Sequence, residues 1–343
     1  MTDAQSPIRS APTLESVAAR AAVSRATASR VLRGASNVSD SARAAVQAAA
    51  EELSYTPNRA ARTLVTGRSD SVAFYVDESE DRLFSDPFFL GVLRGTQSTI
   101  AQASLQLVFS VASTPEDHRR FLRYASGRHV DGVLLLSLHG KDQLPEELEV
   151  LGVPTVLCGR PLRGGEKLFF VDADNVGGAA LATRHLLESG RSTVATITGP
   201  QDMAAGQDRL AGYVNTFTER GLTPRPELIA AGEFTMASGY EAMKLLLDIE
   251  PSIDAVFAAS DLTALGAMRA IEASGRRILD DVAVVGFDDI SDAETANPGL
   301  TTIRQPIAEI GHTMADLLVR RIAGEEPTRI TILPVDLIRR DTA

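Results

Sequence analysis

The chain has 343 residues and a mass of 36.5 kDa, enough for two or three domains. Its 44% hydrophobic and 23% charged residues exclude a disordered or fibrous chain, and a single cysteine excludes a disulfide scaffold or a multi-cysteine metal site. No apolar run approaches the ~18 residues of a membrane helix, Met1–Ala11 lacks the apolar stretch of a secretory leader, and a net charge of −11 argues, for the chain as a whole, against nucleic acid.

That average conceals an asymmetry. Residues 1–69 hold nine arginines against five acids, a net of +4, while the other 274 residues hold 25 basic and 40 acidic groups, a net of −15. A basic head on an acidic body suggests that the head meets an anion. After a flexible tail (residues 1–12), Thr13 is placed to cap a first helix with Leu14, Val17 and Ala18 on one face. Ser16 stands where a capping box has Glu or Gln, so the box reads as incomplete. Ser24 caps a second helix, Arg25–Arg33, that Gly34 ends; Val38-Ser39 opens a third, Asp40–Leu53, with Ala45, Val46, Ala49 and Leu53 as its stripe. Two short helices around a tight turn, with a third in support, form a helix-turn-helix, although a plain three-helix bundle has the same helix count. The second helix would expose Arg25, Ala26, Ser29 and Arg30: short polar groups suit phosphates, and Arg pairs with guanine O6 and N7.

Next comes a Pro-started helix of about two turns, Pro57–Leu64, with little apolar face beyond alanines and Leu64. A helix so short is marginal alone. It would order only against a partner, one candidate being its own copy in a dimer, lying in a DNA minor groove with Leu64 as an apolar wedge; Thr66–Ser69 reads as a linker. Thr13-Leu14, Val17-Ala18, Val23-Ser24, Thr27, Ser29–Leu32, Val38-Ser39, Leu53, Tyr55, Pro57-Asn58, Ala61-Arg62 and Leu64 together resemble the head of the LacI/GalR family of bacterial transcription regulators. Ala22, Ala28 and Arg33 depart from the family's frequent Gly, Val and Asn; Ala22 would tighten the turn, Ala28 would thin the packing, and Arg33 adds a positive charge beside the backbone.

From residue 71 onward, short apolar runs alternate with helical patterns. Expected strands are Val72–Val76, Leu105–Val111, Gly132–Leu138, Pro154–Cys158, Val194–Thr198, Ala255–Ala259 and Val282–Phe287. Expected helices are Phe88–Ala103, Pro115–Gly127, Val176–Gly190, Gly206–Gly221, Ser238–Asp248 and Leu262–Ser274. The alternation gives parallel sheets covered on both faces, with ligands at the carboxyl ends of strands; an enzyme could carry the same pattern. The fold class is therefore an all-α helix-turn-helix head plus an α/β core of two doubly wound subdomains, which resembles the family's periplasmic-binding-protein-like core. The expected division is a helix-turn-helix domain at 13–57, a hinge helix and linker at 58–70, and a core at 71–343. Within the core, 71–173 with 304–331 forms one subdomain and 174–303 with 332–343 the other.

The resemblance implies effector-binding residues at Leu83, Asp86 and Phe89 in the first loop, at Arg209, at the aromatic Phe234, at the strand-end acid Asp288 and at the crossover residue Gln305. Ser260 stands where Asn is common and reaches less far; Gly159 replaces a ligand Asp of some members, with Arg160 beside it. These departures leave the ligand of any one member unassigned. The chemistry suits a neutral polyol: a carboxylate accepts from vicinal hydroxyls, Arg donates to their oxygens, and an aromatic face covers sugar C–H groups. Core packing for Phe89 and Phe234, capping for Asp288 and ion pairing for Arg209 are the ordinary alternatives. The five histidines show no metal spacing, and His118 and His139, near loops, read as solvated or capping residues. Cys158 reads as a structural thiol. No nucleophile elbow or phosphate loop is present, so neither an enzyme nor a cofactor or metal is expected.

The expected function is a cytoplasmic, nucleoid-associated homodimeric repressor of carbohydrate uptake or catabolism genes. It would bind a near-palindromic double-stranded DNA operator and release it when a sugar or glycoside binds, with no membrane partner. Arg25 and Ala26, with Arg30, would read bases; Thr13, Ser24, Thr27, Ser29 and Ser39 would hold phosphates; Asn58, Ala61, Arg62 and Leu64 belong to the hinge contact. A purine or other non-sugar corepressor on the same architecture, and a sugar-binding protein with a silent head, are the alternatives.

Overall fold

The computed structural model of the chain describes residues 12–32, 34, 35, 37–56, 67–140 and 143–343. The expected hinge helix with Asn58, Ala61, Arg62 and Leu64, nearly all of the expected tail, and Arg33 lie outside the described residues. The chain divides into two compact units, Met1–Ser69 and Asp70–Ala343.

Three helices make up the described head: α1 (Leu14–Arg20), α2 (Arg25–Leu32) and α3 (Asp40–Glu52). Val17, Ala18, Ala28, Val31, Val46, Ala49 and Ala50 are buried together at their junction. One local expectation is corrected. The Thr13 box is complete: Ser16 N–H donates to Thr13 Oγ1 (3.2 Å) and Thr13 N–H donates to Ser16 Oγ (2.9 Å), so a serine hydroxyl does the work of the expected Glu. Ala22 occupies the left-handed turn at φ +53°, where a Cβ is strained.

The second unit contains two six-stranded sheets. In the first lobe the order is β11 (Ile330–Leu333), β5 (Phe169–Ala173), β4 (Thr155–Cys158), β3 (Gly132–Leu136), β1 (Ser71–Asp77), β2 (Gln106–Ala112), all parallel. In the second it is β12 (Asp336–Ile338), β10 (Thr301–Arg304), β9 (Ala283–Asp288), β8 (Ala255–Ala258), β6 (Val194–Ile197), β7 (Ile229–Ala230), parallel except for the antiparallel edge strand β12. Period-two alternation feeds both faces of each sheet. Val72, Phe74 and Val76 pack with Val92 of α5 (Pro87–Gln102) and with Met314 and Leu318 of α13 (Ile307–Ile322), while Ala73 and Tyr75 pack with Phe121 of α6 (Pro115–Ser126). In the second lobe Val256 and Ala258 join the core of α10 (Met236–Ile249) and α11 (Asp261–Ala273), and Ala255 and Phe257 face α8 (Asn175–Glu188) and α9 (Ala204–Glu219). Helices α5 and α13 meet at glycines: a Cβ on Gly95 would lie 2.0 Å from Ala308 O, and one on Gly311 2.1 Å from Val92 O. The chain passes between lobes three times, after β5, β10 and β11.

Several elements were not expected from the pattern: strands β5, β7, β10, β11 and β12, the helices α4 (Glu80–Ser85), α7 (Leu144–Val150) and α12 (Ser291–Thr295), and the long α13. Expected strand Gly132–Leu138 stops at Leu136, because Ser137 turns to φ +59° and donates its hydroxyl to Glu78 Oε1 (2.7 Å). Among the described residues, no helix is long and apolar enough to cross a membrane.

Candidate functional site

The head presents α2. Ser24 caps it: Thr27 N–H donates to Ser24 Oγ (3.1 Å), and the two hydroxyls lie 2.8 Å apart. Ser39 caps α3 through Ala42 N–H (3.4 Å). Three of the expected phosphate holders, Thr13, Ser24 and Ser39, thus sit at helix starts, where N–H groups and the helix dipole favour an anion. Arg25, Ala26 and Arg30 are exposed and Ser29 is half-buried. Arg25 Nε pairs with Glu15 of α1 at 2.8 Å, both side chains well exposed, so the pair costs little to break in favour of a base edge. The Glu15 carboxyl is held below its usual range, chiefly by a backbone hydrogen bond and also by Arg25.

In the second unit, loops at the carboxyl ends of both sheets converge on a cleft of about 760 Å³ including its open mouth. Asp86, Phe89, Arg160, Arg209, Phe234, Asp288 and Gln305 all line it. Arg209, on α9 and 5% exposed, is the centre. Its Nε donates to Asn175 Oδ1 (2.8 Å) and its Nη1 to Ala259 O (2.5 Å) and Asp288 Oδ1 (3.2 Å); its Cζ lies 3.7 Å from the Phe287 ring centre. Asp288 also accepts from Gln305 Nε2 (2.6 Å). Burial pushes the Asp288 carboxyl up to about 7 against the pull of Arg209, and Asp288 sits at φ +116°, a strained backbone at the site. Burial likewise raises Asp86, which accepts from Phe88 N–H (2.9 Å), and lifts Asp172 to about 6. The Arg209 guanidinium is pushed the other way by the same burial.

The Phe234 ring is held between two cations, Arg82 at 5.3 Å and Arg209 at 5.4 Å from its centre. It lies on Gly199, where a Cβ would come within 2.1 Å of the ring tip, and its own backbone is at φ +55°. Glycine at 199 is therefore required for the ring to reach the cleft. Two bridges tie the lobes across the mouth. Arg160, after β4, forks onto Asp208 of α9 with contacts of 2.7 and 3.3 Å. His139, after β3, contacts Asp202 Oδ2 after β6 at 3.0 Å, beside Gly140 N–H donating to Asp202 O (2.7 Å).

Residues 13–58 match the family described as bacterial regulatory proteins, lacI family, and residues 183–343 match a periplasmic binding protein-like domain. The HTH-type transcriptional regulator CelR of Thermobifida fusca is 48% identical over 337 residues, spanning 97% of this chain and 99% of that protein. The ribose operon repressor of Halalkalibacterium halodurans is 33% identical over 96% of each chain. The chain belongs to the lacI family. Among solved structures, a transcriptional regulator CelR–cellobiose complex is 46% identical with a TM-score of 0.78, covering 97% of this lacI-family chain and 100% of that one. A lac repressor dimer bound to operator and the anti-inducer ONPF has a TM-score of 0.85 at 29% identity, covering 97% and 99%. The helix-turn-helix head and the two parallel-sheet lobes are the lacI-family fold.

Two expected site residues in this lacI-family chain lie away from the cleft lining. Leu83, on α4, is buried in the core with Phe74 and Val76. Ser260 caps α11, accepting from Thr263 N–H (3.2 Å), and its short side chain stays there. His139 is not a solvated or capping residue but bridges carboxylates of both lobes, and His118 pairs with Asp77 (3.0 Å). Arg82, Ser137, Asp172, Asn175 and Met203, which no motif singled out, also line the cleft, and Glu78, likewise unmarked, pairs with Arg82. Arg82 and Glu78 stood four apart after an apolar strand, a visible signal; Asp172 and Asn175 needed the unexpected β5 to place them.

Proposed function

We propose that this chain is a dimeric, nucleoid-associated repressor whose cleft binds a β-linked glucose disaccharide of the cellobiose type and which then releases its operator. The observation that carries the reading is the Asp288–Arg209–Gln305 cluster facing Phe234 across one cavity: directional acceptors and donors beside an aromatic face, suited to a neutral polyol. The likeness to CelR, over nearly the whole chain, supports the choice of sugar. In this reading Asp288 accepts from a hydroxyl pair. Arg209 donates to ring or hydroxyl oxygens through Nη2, Phe234 and Phe89 cover C–H faces, and Asp86 and Arg160 close the ends. The charged groups of the cleft are largely paired among themselves, with Arg82 on Glu78, Arg160 on Asp208 and Arg209 on Asp288, while Asp86 and Asp172 remain. An anionic ligand such as a sugar phosphate would meet these two acids.

The head, about residues 13–57, reads half-sites through Arg25, Ala26 and Arg30, with Thr13, Ser24, Thr27, Ser29 and Ser39 on the backbone and the 58–70 segment as hinge. The sugar shifts the lobes and weakens DNA binding; by linkage DNA weakens sugar binding by the same factor. A thermal-shift screen of the full chain tests the ligand class. Cellobiose should raise the melting temperature more than maltose, ribose or hypoxanthine. A shift with a purine alone would replace the sugar by a corepressor, and a shift with none would remove the effector reading.

A further inference from the structure

Both ring nitrogens of His139 are in contact with carboxylates, Nε2 with Glu78 Oε1 at 2.9 Å and Nδ1 with Asp202 Oδ2 at 3.0 Å. A neutral imidazole has one N–H and one lone pair, and an ionised carboxylate can only accept. Both contacts are hydrogen bonds only when the ring carries both protons or one acid is protonated. Glu78 is the worse candidate for that proton. It is buried and already accepts from Arg82 and from Ser137 Oγ (2.7 Å). Burial works against its charge, yet His139, Arg82 and Ser137 together hold its carboxyl below the usual range. Asp202 is half exposed to water. The proton therefore belongs on the ring.

The two acids come from different lobes. Glu78 follows β1 and Asp202 follows β6, so the imidazolium is a bridge across the cleft mouth. The charged groups facing it are Glu78 from its own lobe, with Arg82 of α4 behind that acid, and Asp202 from the opposite lobe. The neighbouring bridge, Arg160 to Asp208, also spans the mouth, but its cation is a guanidinium, which keeps its charge throughout.

We propose that His139 is a positioning residue that links closure of the lobes to proton uptake: the cleft closes over its ligand with a proton shared between Glu78 and Asp202 through this ring. The proposal rests on the cleft being the effector site. When the lobes part, Asp202 leaves, and the ring keeps only Glu78, which a neutral tautomer satisfies. In the closed form the hydrogen bond to Glu78, opposed by burial and joined by Asp202, lifts the ring to about 9 from its ordinary 6.5. A raised histidine stabilises the closed form fully below its ordinary range and loses that contribution as the pH rises through about 9. Because Glu78 stays with the ring in both forms, only the share due to Asp202 is linked to closure.

Isothermal titration of the full chain with cellobiose at pH 8.5, in two buffers of different ionisation heat, counts the protons. That pH lies above Asp288 at about 7 and Asp172 at about 6, so these two cleft acids contribute little. The expected result is an uptake of a few tenths of a proton per site, with affinity falling about threefold or more between about pH 8 and 9.5, above the range in which Asp288 titrates. In His139→Gln and in Asp202→Asn both effects vanish. Binding heat without uptake overturns the proposal while sparing the sugar reading, and uptake that survives in both variants places the proton elsewhere and overturns it too. An absence of binding heat sinks the sugar reading instead. The ring titration followed by NMR then decides the bridge in the cellobiose-bound, closed form: its midpoint falls in Asp202→Asn if Asp202 shares the proton, and an unmoved midpoint overturns the proposal.

Discussion

Replacing Arg209 with lysine separates its two roles. The charge stays, so Asp288 is not left without a cation. What goes is the planar fork: Nε to Asn175 (2.8 Å), the geometry of Nη1 toward Ala259 and Asp288, and the stacking on Phe287 at 3.7 Å. A hydrogen bond from a charged donor contributes about 1.5–3 kcal/mol. Losing one or two of them should lower the melting temperature of the ligand-free core by several degrees. If Nη2 also donates to the sugar, a further bond of that size is lost on binding. At about 1.4 kcal/mol per tenfold, affinity for cellobiose should fall roughly ten- to a hundredfold. Melting of the free protein reports the first effect and calorimetric titration the second. A lower melting temperature with an unchanged dissociation constant would mean that Arg209 only braces the lobe, and the effector role assigned to it would be wrong.

Asp288→Asn should flatten the pH dependence of core stability between about pH 4 and pH 7. A carboxyl raised by burial binds its proton more tightly folded than unfolded, so it costs stability progressively as the pH rises through that window. Denaturant titrations at several pH values check this, and an unchanged slope would contradict it. Ala22→Gly should stabilise the head by about 0.5–1 kcal/mol, since Ala22 sits at φ +53°; equal or lower stability in chemical unfolding would show the turn is unstrained. Gly95→Ala should destabilise the core by about 1–3 kcal/mol, because its Cβ would meet Ala308 O of α13 at 2.0 Å, and a melting temperature within a degree of wild type would contradict the close helix contact. Arg25→Ala should change base preference at one operator position more than the salt slope of binding; a change in slope alone would move Arg25 to the phosphate contacts.

The head was legible because its signals are local. A cap at Thr13, another at Ser24, the glycine at 34 and the stripe of α3 each fix a helix end or face without help from distant residues. The central strands of both lobes were legible as short apolar runs, since parallel strands are covered on both faces. The edges were not. Strand β11 alternates Thr with apolar residues and exposes Ile330 and Ile332, and β7 has two residues, so neither stands out from a loop. Helix α13 carries a clear stripe at Ile310, Met314, Leu317 and Leu318, but it follows a crossover from the other lobe, and its partner α5 is some 200 residues earlier in the chain. The cleft divides in the same way. Asp86, Arg209, Phe234, Asp288 and Gln305 are positions that the family resemblance implies, and the structure brings them together around the cleft. His139 gave no sign of its bridge, because both of its acids are about 60 residues away and belong to different lobes.

Fluorescence anisotropy of the full-length chain on DNA from its own upstream region, at low salt and with increasing cellobiose, tests the central claim most directly. The expected result is saturable binding by a dimer to a two-fold symmetric site, with the affinity falling at least about fivefold once the sugar saturates the cleft. Equal affinity with and without the sugar, on a fragment that the protein does bind, would contradict it.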